Sequence, residues 1–585
     1  MYILGLSCYY HDAAAALMKD DTTIAAAQEE RFTRKKHDIS FPENAIRYCL
    51  ESQSITIDDI DHVVFYEKPI LKFERFLSQS ISGFPFTFRQ FLRSTPSWLT
   101  EKLRIPKTMR KRLGYKGDIF FLDHHASHAS SFLISPFKKA AIVSVDGVGE
   151  WTTTTYGKGD GTSVELLKSI DFPHSLGLLY STITAYLGFS VNNSEYKVMG
   201  LAAHGTKDKK KNRFYRRLRN TVIMHDDGSF SLDMRYFSFH KKQQMPSRKL
   251  CELLGGPIRK KDDPLRRRHK EIAAALQALY EELLFNLLSK VHEETSMDDL
   301  VLSGGCALNS VANGKIISRT GFKRVWIPPD PGDGGNSIGA AAYAYAQILE
   351  KGRPKPLTEA FLGPTYNDRE LKDFLDRNNI SYHKLESDSG IIREATDLLI
   401  SSRVIGWFQG GMEWGPRALG ARSILSNPCD PNMQDILNTK VKHRETFRPF
   451  APVVCENDAE KYFETDCPVP RPTDFMLMVY PIKEEFHDKI PAVTHIDGTG
   501  RLQTIRKHQH PLYYDLIKSF GERSGIPILI NTSFNIRGEP IVCTPEDAYR
   551  CMMGTGIDAL FIGNFLVYRD ENKKDIWDGE KDAED

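Results

Sequence analysis

The chain has 585 residues, 41% apolar and 26% charged, with a formal net charge of +2. That length exceeds one ordinary core, so two or more domains are expected, and the near-balance of charge argues against a dedicated nucleic-acid binder. No apolar run approaches the roughly 20 residues that span a bilayer, the start MYILGLSCYYHD lacks the marks of a signal peptide, and nine cysteines are scattered without a CxxC pair, which points to a reducing cytoplasm.

In chain order, YILGLSC reads as a strand and AAAALMKDDTTIAAAQEE as two strands around a Lys-Asp-Asp turn, with the polar loop Tyr9 to Asp12 between them. FLDHHASHASSF then places three histidines behind the apolar end of a strand. If this segment is helical, His124 and His128 project from one face, the spacing by which two imidazoles grip one metal, and His125 points elsewhere. The same pair suits ordinary surface or core-edge histidines, so spacing alone leaves both readings open. AAIVSVDGVGEWTTTTYGKG repeats the strand–loop–strand pattern with Asp146 at its bend, which suggests an internal duplication. His225 to Phe239 reads as a hairpin. KEIAAALQALYEELLFNLLSKV is a helix with Ile272, Leu276, Leu279, Leu283 and Leu287 on one side. DDLVLSGGCALN is a strand ending in paired glycines, and DPGDGGNSIGAA is a loop opening a small-residue helix. EKGRPKPLTEAFLGPTYND is the linker, which gives a large domain at about 1–355 and a smaller α/β domain at about 365–570. The charged tail, residues 571–585, is expected to be disordered.

Two carboxylates join the histidines as metal candidates, Asp146 and Asp333. Two imidazoles and two carboxylates suit iron(II), manganese or zinc; the competing readings are a turn aspartate and a helix cap. The glycines of Ser303 to Asn309 would let backbone N–H groups approach a phosphate, and in this company the stretch resembles the nucleotide cleft of actin-like and sugar-kinase folds. In the smaller domain, Arg417, Arg422, Lys442, Arg444, Arg448, Arg501, Asn531, Ser533, Asn535 and Arg537 lie among glycines, aromatics and prolines, the composition of a polyanion pocket rather than of a solvated basic face. The dense runs Thr206 to Asn220 and IRKKDDPLRRRHK read as solvated helix faces.

EERFTRKKHDISFP, HHASHASSF, VDGVGEWTTT, EYKVMGLAAHG, SGGCALN, GDGGNSIGAA, MEWGPRALGARSIL, FRPFAP and NTSFNIRGEPIV occur in one order. On these strings the chain resembles the ATP-dependent O-carbamoyltransferases of nodulation-factor and antibiotic biosynthesis, over nearly all of its length except the tail. The resemblance implies an α/β protein with an actin-like (ASKHA) duplicated-fold large domain and a smaller YrdC-like α/β domain. The small domain would convert carbamoyl phosphate and ATP, with Mg2+, to carbamoyl adenylate. The large one would pass the carbamoyl group to a hydroxyl of a small-molecule acceptor, the intermediate travelling by an enclosed path because bulk water would hydrolyse it.

Carried over by motif, His124, His128, Asp146 and Asp333 would ligate iron(II) or a similar divalent metal, and His11 would accept the hydroxyl proton. Gly304, Gly305 and Asn309 would line the nucleotide site of the large domain. Arg417, Lys442, Arg448, Arg501, Ser533 and Asn535 would line the adenylate-forming pocket. Neither nucleic acid nor membrane is expected as a partner; a homodimer is compatible with the sequence, which does not fix the oligomeric state. Two competing readings are a tRNA threonylcarbamoyl-transfer enzyme, disfavoured by the lack of a basic footprint, and a non-catalytic actin-like ATP-binding module, which would need no second anion pocket.

Overall fold

The first apolar runs fold back on one another across the polar loop Tyr9 to Asp12. In the computed structural model, which describes residues 1–572 except 101, 243, 446 and 447, β1 (Tyr2–Ser7) pairs antiparallel with β2 (Ala14–Lys19), Gly5 opposite Ala16. The tail beyond residue 572 lies outside the described residues. Strands β3 (Thr22–Gln28), β4 (His62–Phe65) and β5 (Ile119–Phe121) complete a five-stranded sheet of order β3-β2-β1-β4-β5, with β1, β4 and β5 parallel. A second meander follows: β6 (Lys139–Val145), β7 (Thr152–Asp160) and β8 (Ser163–Asp171), antiparallel throughout. Inserted after it is a short antiparallel hairpin, β9 (Val222–Met224) with β10 (Phe230–Leu232). Strands β11 (Asp299–Ser303) and β12 (Arg324–Trp326) then add parallel to β6, giving the order β12-β11-β6-β7-β8. The two sheets share one plan: a three-strand meander whose first strand is extended by two parallel strands. The central strands are buried along nearly their whole length, which is why they read as continuous apolar runs rather than alternating ones.

These strands belong to a unit made of Met1–Ala25, Ile39–Asn309 and Lys315–Leu357. Within it the helix Asn336–Tyr343 lies close against β1, and small residues make that approach feasible: a Cβ on Gly5 would stand 1.9 Å from the Ser337 carbonyl oxygen. The long helix Arg267–Thr295 buries Ile272, Leu276, Leu279, Leu283 and Leu287, the face its periodicity marks. His11, His124, Asp146, Gly304 and Asp333 all sit in segments leaving the carboxyl ends of strands: β1, β5, β6, β11 and β12 respectively. In α/β sheets this is the edge where ligands collect.

The second unit takes Ala26–Asp38, Ser310–Gly314 and the chain from Thr358 onward. The first two segments lie far from the third in sequence, and no compositional break announces them. Its sheet has nine strands: β13 (His383–Lys384), β14 (Ile405–Phe408), β15 (Arg422–Ser426), β16 (Ala451–Cys455), β17 (Met478–Pro481), β18 (Thr499–Ile505), β19 (Ile528–Ser533), β20 (Ala559–Ile562) and β21 (Phe565–Tyr568). Their order is β13-β21-β20-β14-β15-β19-β16-β18-β17. Only β14 with β20 and β16 with β18 pair parallel. The helices Asp388–Ile400 and Pro511–Ser524 share a core with the sheet through Leu399, Trp407, Leu516, Phe520 and Phe561. Among the described residues no helix is long and apolar enough to cross a membrane, and all nine cysteines are free thiols.

The helix Pro511–Ser524 is capped by His510, whose Nδ1 accepts the Tyr513 N–H at 3.3 Å. Burial, together with the nearby Arg422 charge, pulls His510 down to about 4. Protonation would turn the accepting nitrogen into a donor and set a positive charge at a helix N-terminus. The unfolded imidazole binds its proton from about pH 6.5 downward, so the stability of this unit should be complete above that pH. About 3 kcal/mol should then be lost between pH 6.5 and 4. Urea unfolding across this range checks it; His510→Asn, which keeps a cap, should flatten the dependence.

Candidate functional site

The histidine-rich segment is a helix, His124–Ala129. It stacks His124 and His128 on one side with their Nε2 atoms 3.1 Å apart. Asp146 brings Oδ2 to 3.1 Å from His124 Nε2, and Asp333 brings Oδ1 to 3.5 Å from His124 Nε2 and 3.6 Å from His128 Nε2. One ligand atom from each residue falls within a 4.8 Å cluster, and all four side chains are buried. Two carboxylates and two imidazoles converging away from water are costly unless a cation lies among them. Burial lowers the His124 pKa, but Asp333 and Asp146 outweigh it and push it up to about 9. Burial raises Asp146, yet the His124 contact prevails and holds that carboxyl below the usual carboxylate range. The donor set fits a divalent cation of borderline hardness.

Neighbouring groups fix these side chains. Both carboxylate oxygens of Glu150 accept the His124 N–H at 3.1 Å, Tyr66 packs its ring on His124 at 5.4 Å, and the Asn336 amide reaches His128 Nε2 at 3.1 Å. Sequence reasoning did not single out Glu150 or Asn336, although both lie in quoted motifs; an acid directly after the strand-end Gly147-Val148-Gly149 and an amide three residues after Asp333 were the available signals. His125 turns away, bonded through Nδ1 to Thr155 Oγ1 at 3.0 Å, and burial holds it neutral.

Gly304 and Gly305 serve this cluster directly. Gly304 has φ of +88°, and a Cβ there would stand 2.2 Å from the Val145 carbonyl oxygen. Gly305 donates its N–H to Asp146 Oδ1 at 3.1 Å. In this arrangement that N–H is committed to the aspartate rather than to a phosphate. The expectation for Asn309 needs a similar correction: its amide is clasped reciprocally by Gln277 of the long helix, at 3.0 and 3.1 Å, so its side chain is a brace between loop and helix.

His11 also departs from expectation. Its Nδ1 bonds Asp12 Oδ2 at 2.7 Å and its Nε2 bonds the Asn192 carbonyl oxygen at 3.0 Å. Both partners only accept, so both ring nitrogens carry protons. Burial opposes the charge, but Asp12, with help from Asp333, pushes the ring up to about 10. As held here, His11 is an imidazolium and has no lone pair with which to take a hydroxyl proton.

In the second unit, Lys442 is buried and donates to the carbonyl and hydroxyl oxygens of Ser533 and, at 2.8 Å, to Asn535 Oδ1. Burial and the adjacent Arg444 pull its ammonium well below the ordinary lysine range. Arg501 on β18 is lowered well below the arginine range, by burial first and then by Arg417, Arg444 and Arg448. Its Nε is covered from water without a hydrogen-bond partner. The charges that act on Arg501 are all of its own sign. The structure therefore brings Arg417, Lys442, Arg448, Arg501, Ser533 and Asn535 into one group, with Arg444 added. Arg422 and Asn531 do not face it as free ligands. Arg422 is fully buried, giving its guanidinium to the carbonyls of Gln409, Gly410 and Pro364 over the Phe408 ring. Asn531 is tied to Gln503 and to the Ala418 carbonyl. The glycine-rich loop before β15 is closed by Glu413, whose Oε1 accepts the N–H groups of Leu419, Ala421 and Arg422 at 2.8, 2.7 and 2.9 Å. The Lys- and Arg-rich runs of the first unit brace it as well as facing water: Lys209 and Arg219 pair with Glu282, and Arg268 caps the Gly255 carbonyl.

A doubled sheet with acids and imidazoles at its strand ends, followed in the chain by a unit that gathers Arg417, Arg444, Arg448 and Arg501, with Glu445 beside Arg448, is the layout of an enzyme handling anionic reactants. Residues 2–342 match the family model described as Carbamoyltransferase N-terminus and residues 396–569 the model described as Carbamoyltransferase C-terminus. The chain belongs to the carbamoyltransferase family and is a transferase that passes a carbamoyl group to an acceptor. It is 42% identical to the uncharacterized protein sll1178 of Synechocystis sp., over 97% of this chain and 96% of that one. It is 34% identical to Nodulation protein NolNO of Sinorhizobium fredii, over 94% and 77% respectively. It is 35% identical to Nodulation protein NolO of Bradyrhizobium diazoefficiens, over 76% and 78%.

Metal analysis tests the buried cluster. Purified His128→Ala should lose nearly all bound divalent metal, and His125→Gln should keep it.

Proposed function

We propose that this protein is an ATP-dependent O-carbamoyltransferase that forms carbamoyl adenylate from carbamoyl phosphate and ATP in the second unit and uses it in the first to carbamoylate a small-molecule hydroxyl. The observation that carries this reading is the cationic group around Arg501. A guanidinium acted on by three like charges, with a buried Nε that makes no hydrogen bond, is stabilised by a polyanion, and triphosphate, pyrophosphate and carbamoyl phosphate are the polyanions this chemistry handles. Carbamoyl phosphate would first take up water and release inorganic phosphate as carbamate; Arg417, Arg444, Arg448 and Arg501 would then neutralise the charge that gathers as a carbamate oxygen attacks the α-phosphorus of ATP and pyrophosphate leaves. Lys442, tethered to Ser533 and Asn535, would orient the phosphate with a short donor. This second unit is read as the YrdC-like domain, and the shared plan of the two five-stranded sheets supports the ASKHA reading of the first. Mg2+ would accompany ATP.

The acceptor hydroxyl would meet the carbamoyl group at the strand ends carrying His124, His128, Asp146 and Asp333. A divalent metal such as iron(II), held by those four, would supply Lewis acidity. Asp146 is kept in place by Gly305 through the oxygen that does not face His124, while the Asn336 amide would leave His128 Nε2 to a bound metal. His11 contributes charge: an imidazolium fixed by Asp12 stabilises the carbamoyl oxygen as the hydroxyl adds and AMP leaves. A proton-accepting role would require the ring to release the Asn192 carbonyl first.

Carbamoyl-phosphate-dependent exchange of labelled pyrophosphate into ATP isolates the first half-reaction. Arg501→Gln should lower that exchange about 100-fold. A protein that binds ATP without this chemistry would show no exchange at all. His11→Asn should exchange normally yet fail to carbamoylate acceptor; normal acceptor carbamoylation by that variant removes His11 from the reaction. His11→Lys should recover part of the transfer if charge is what the ring supplies, and none if proton acceptance is.

A further inference from the structure

Six of the twelve large apolar side chains exposed among the described residues fall on one short stretch of the first unit: Ile70, Ile81, Phe84, Phe86, Phe88 and Leu92. Their exposure runs from 48% at Phe88 to 76% at Ile81. The stretch is a helical hairpin, Pro69–Ser82 followed by Phe88–Thr100. Its own core is already complete: Phe76 stacks on Phe91 at 5.8 Å and on Trp98 at 5.4 Å, and Phe73 meets Trp98 at 5.5 Å. The turn is ordered by hydrogen bonds from Thr87 Oγ1 to the Ser80 carbonyl at 2.7 Å and from the Phe86 N–H to the Gly83 carbonyl at 2.9 Å. Phe84, Phe86 and Phe88 lie outside that aromatic core on a defined tip, where Phe84 and Phe88 meet edge to face at 6.0 Å and all three stay exposed. An exposed apolar patch of this kind marks a contact surface.

The charge around the tip identifies what covers it. From Phe84 to Arg112 the sequence carries eight basic residues and one acidic residue, in a chain whose net charge is only +2. Arg89 and Arg93 are exposed on the helix that carries Phe88 and Leu92; Arg104, Lys107 and Lys111 are exposed further along the chain, where Arg110 and Arg112 pair with Asp118 and Glu43. A second copy of this chain would bring the same positive face against itself. We infer that the hairpin tip docks on an anionic lipid bilayer, its phenylalanines entering the headgroup–acyl boundary while the arginines and lysines meet lipid phosphates. The sequence-based argument against a membrane concerns spanning length alone, which does not govern a surface contact of this depth.

Sedimentation of the full chain with lipid vesicles tests the assignment. Vesicles containing roughly one-third phosphatidylglycerol should carry the protein down, pure phosphatidylcholine vesicles should not, and bound protein should fall about tenfold when salt is raised to about 0.5 M. Replacing the tip aromatics together (Phe84→Ser, Phe86→Ser, Phe88→Ser) should cut binding about tenfold, with circular dichroism unchanged. Arg89→Glu with Arg93→Glu, which leaves the hairpin's aromatic core intact, should do the same. Equal binding to both vesicle types, no binding, or undiminished binding by the arginine variant would overturn the proposal. So would a concentration-dependent dimer that the phenylalanine variant abolishes, which would give the tip to a second copy.

Discussion

One carboxylate ties the first unit's functional edge together. Asp146 uses Oδ1 to hold the Gly305 N–H and Oδ2 to face His124, so the loop after β6, the turn after β11 and the helix after β5 converge on it. Glycine at positions 304 and 305 is what allows that convergence. A side chain at 304 would collide with the Val145 carbonyl, and one at 305 would stand 3.0 Å from the aspartate itself. The cost of collecting two acids and two imidazoles out of water is met locally by opposite charge and by backbone donors. The same arrangement leaves the four ligand atoms aimed at one point.

The two units solve opposite electrostatic problems. In the first, Asp146 and Asp333 raise the proton affinity of His124, and Asp12 and Asp333 raise that of His11. In the second, Arg417, Arg444 and Arg448 depress Arg501, and a buried Lys442 is depressed with it. Under the function proposed above, an anionic intermediate that would need cations while it forms, and a carbonyl that would be polarised while it is attacked, match such opposed surroundings. Neutral amides do the structural work nearby: Gln277 and Asn309 join the long helix to the β11 turn without adding charge to either environment.

Much of this was legible in the sequence, for stated reasons. The meanders, the long helix and the i,i+4 histidine pair follow from local periodicity, and the strand-end acids from their place before turns and helices. The missed features depend on partners distant in sequence. Asn309 and Arg422 look like ligands until Gln277, and the carbonyls of Gln409, Gly410 and Pro364, are seen to claim them. His11 looks like a base until Asn192, 181 residues away, is seen to accept from it. The assignment of Ala26–Asp38 and Ser310–Gly314 to the second unit is equally hard to read from sequence, because their partners lie far away in the chain, as Arg34 with the Pro540 and Ile541 carbonyls and Asn313 with the Leu477 carbonyl show.

Glu413 shows why glycine spacing alone is a poor guide to phosphate sites. Its buried carboxylate sits in a nest of three backbone N–H groups, the geometry that elsewhere receives a dissolved anion. The Met412–Arg422 loop has internalised its own anion, and its glycines serve architecture. An anion site in this unit is then marked by guanidinium groups gathered round one another, as at Arg501, and not by richness in glycine.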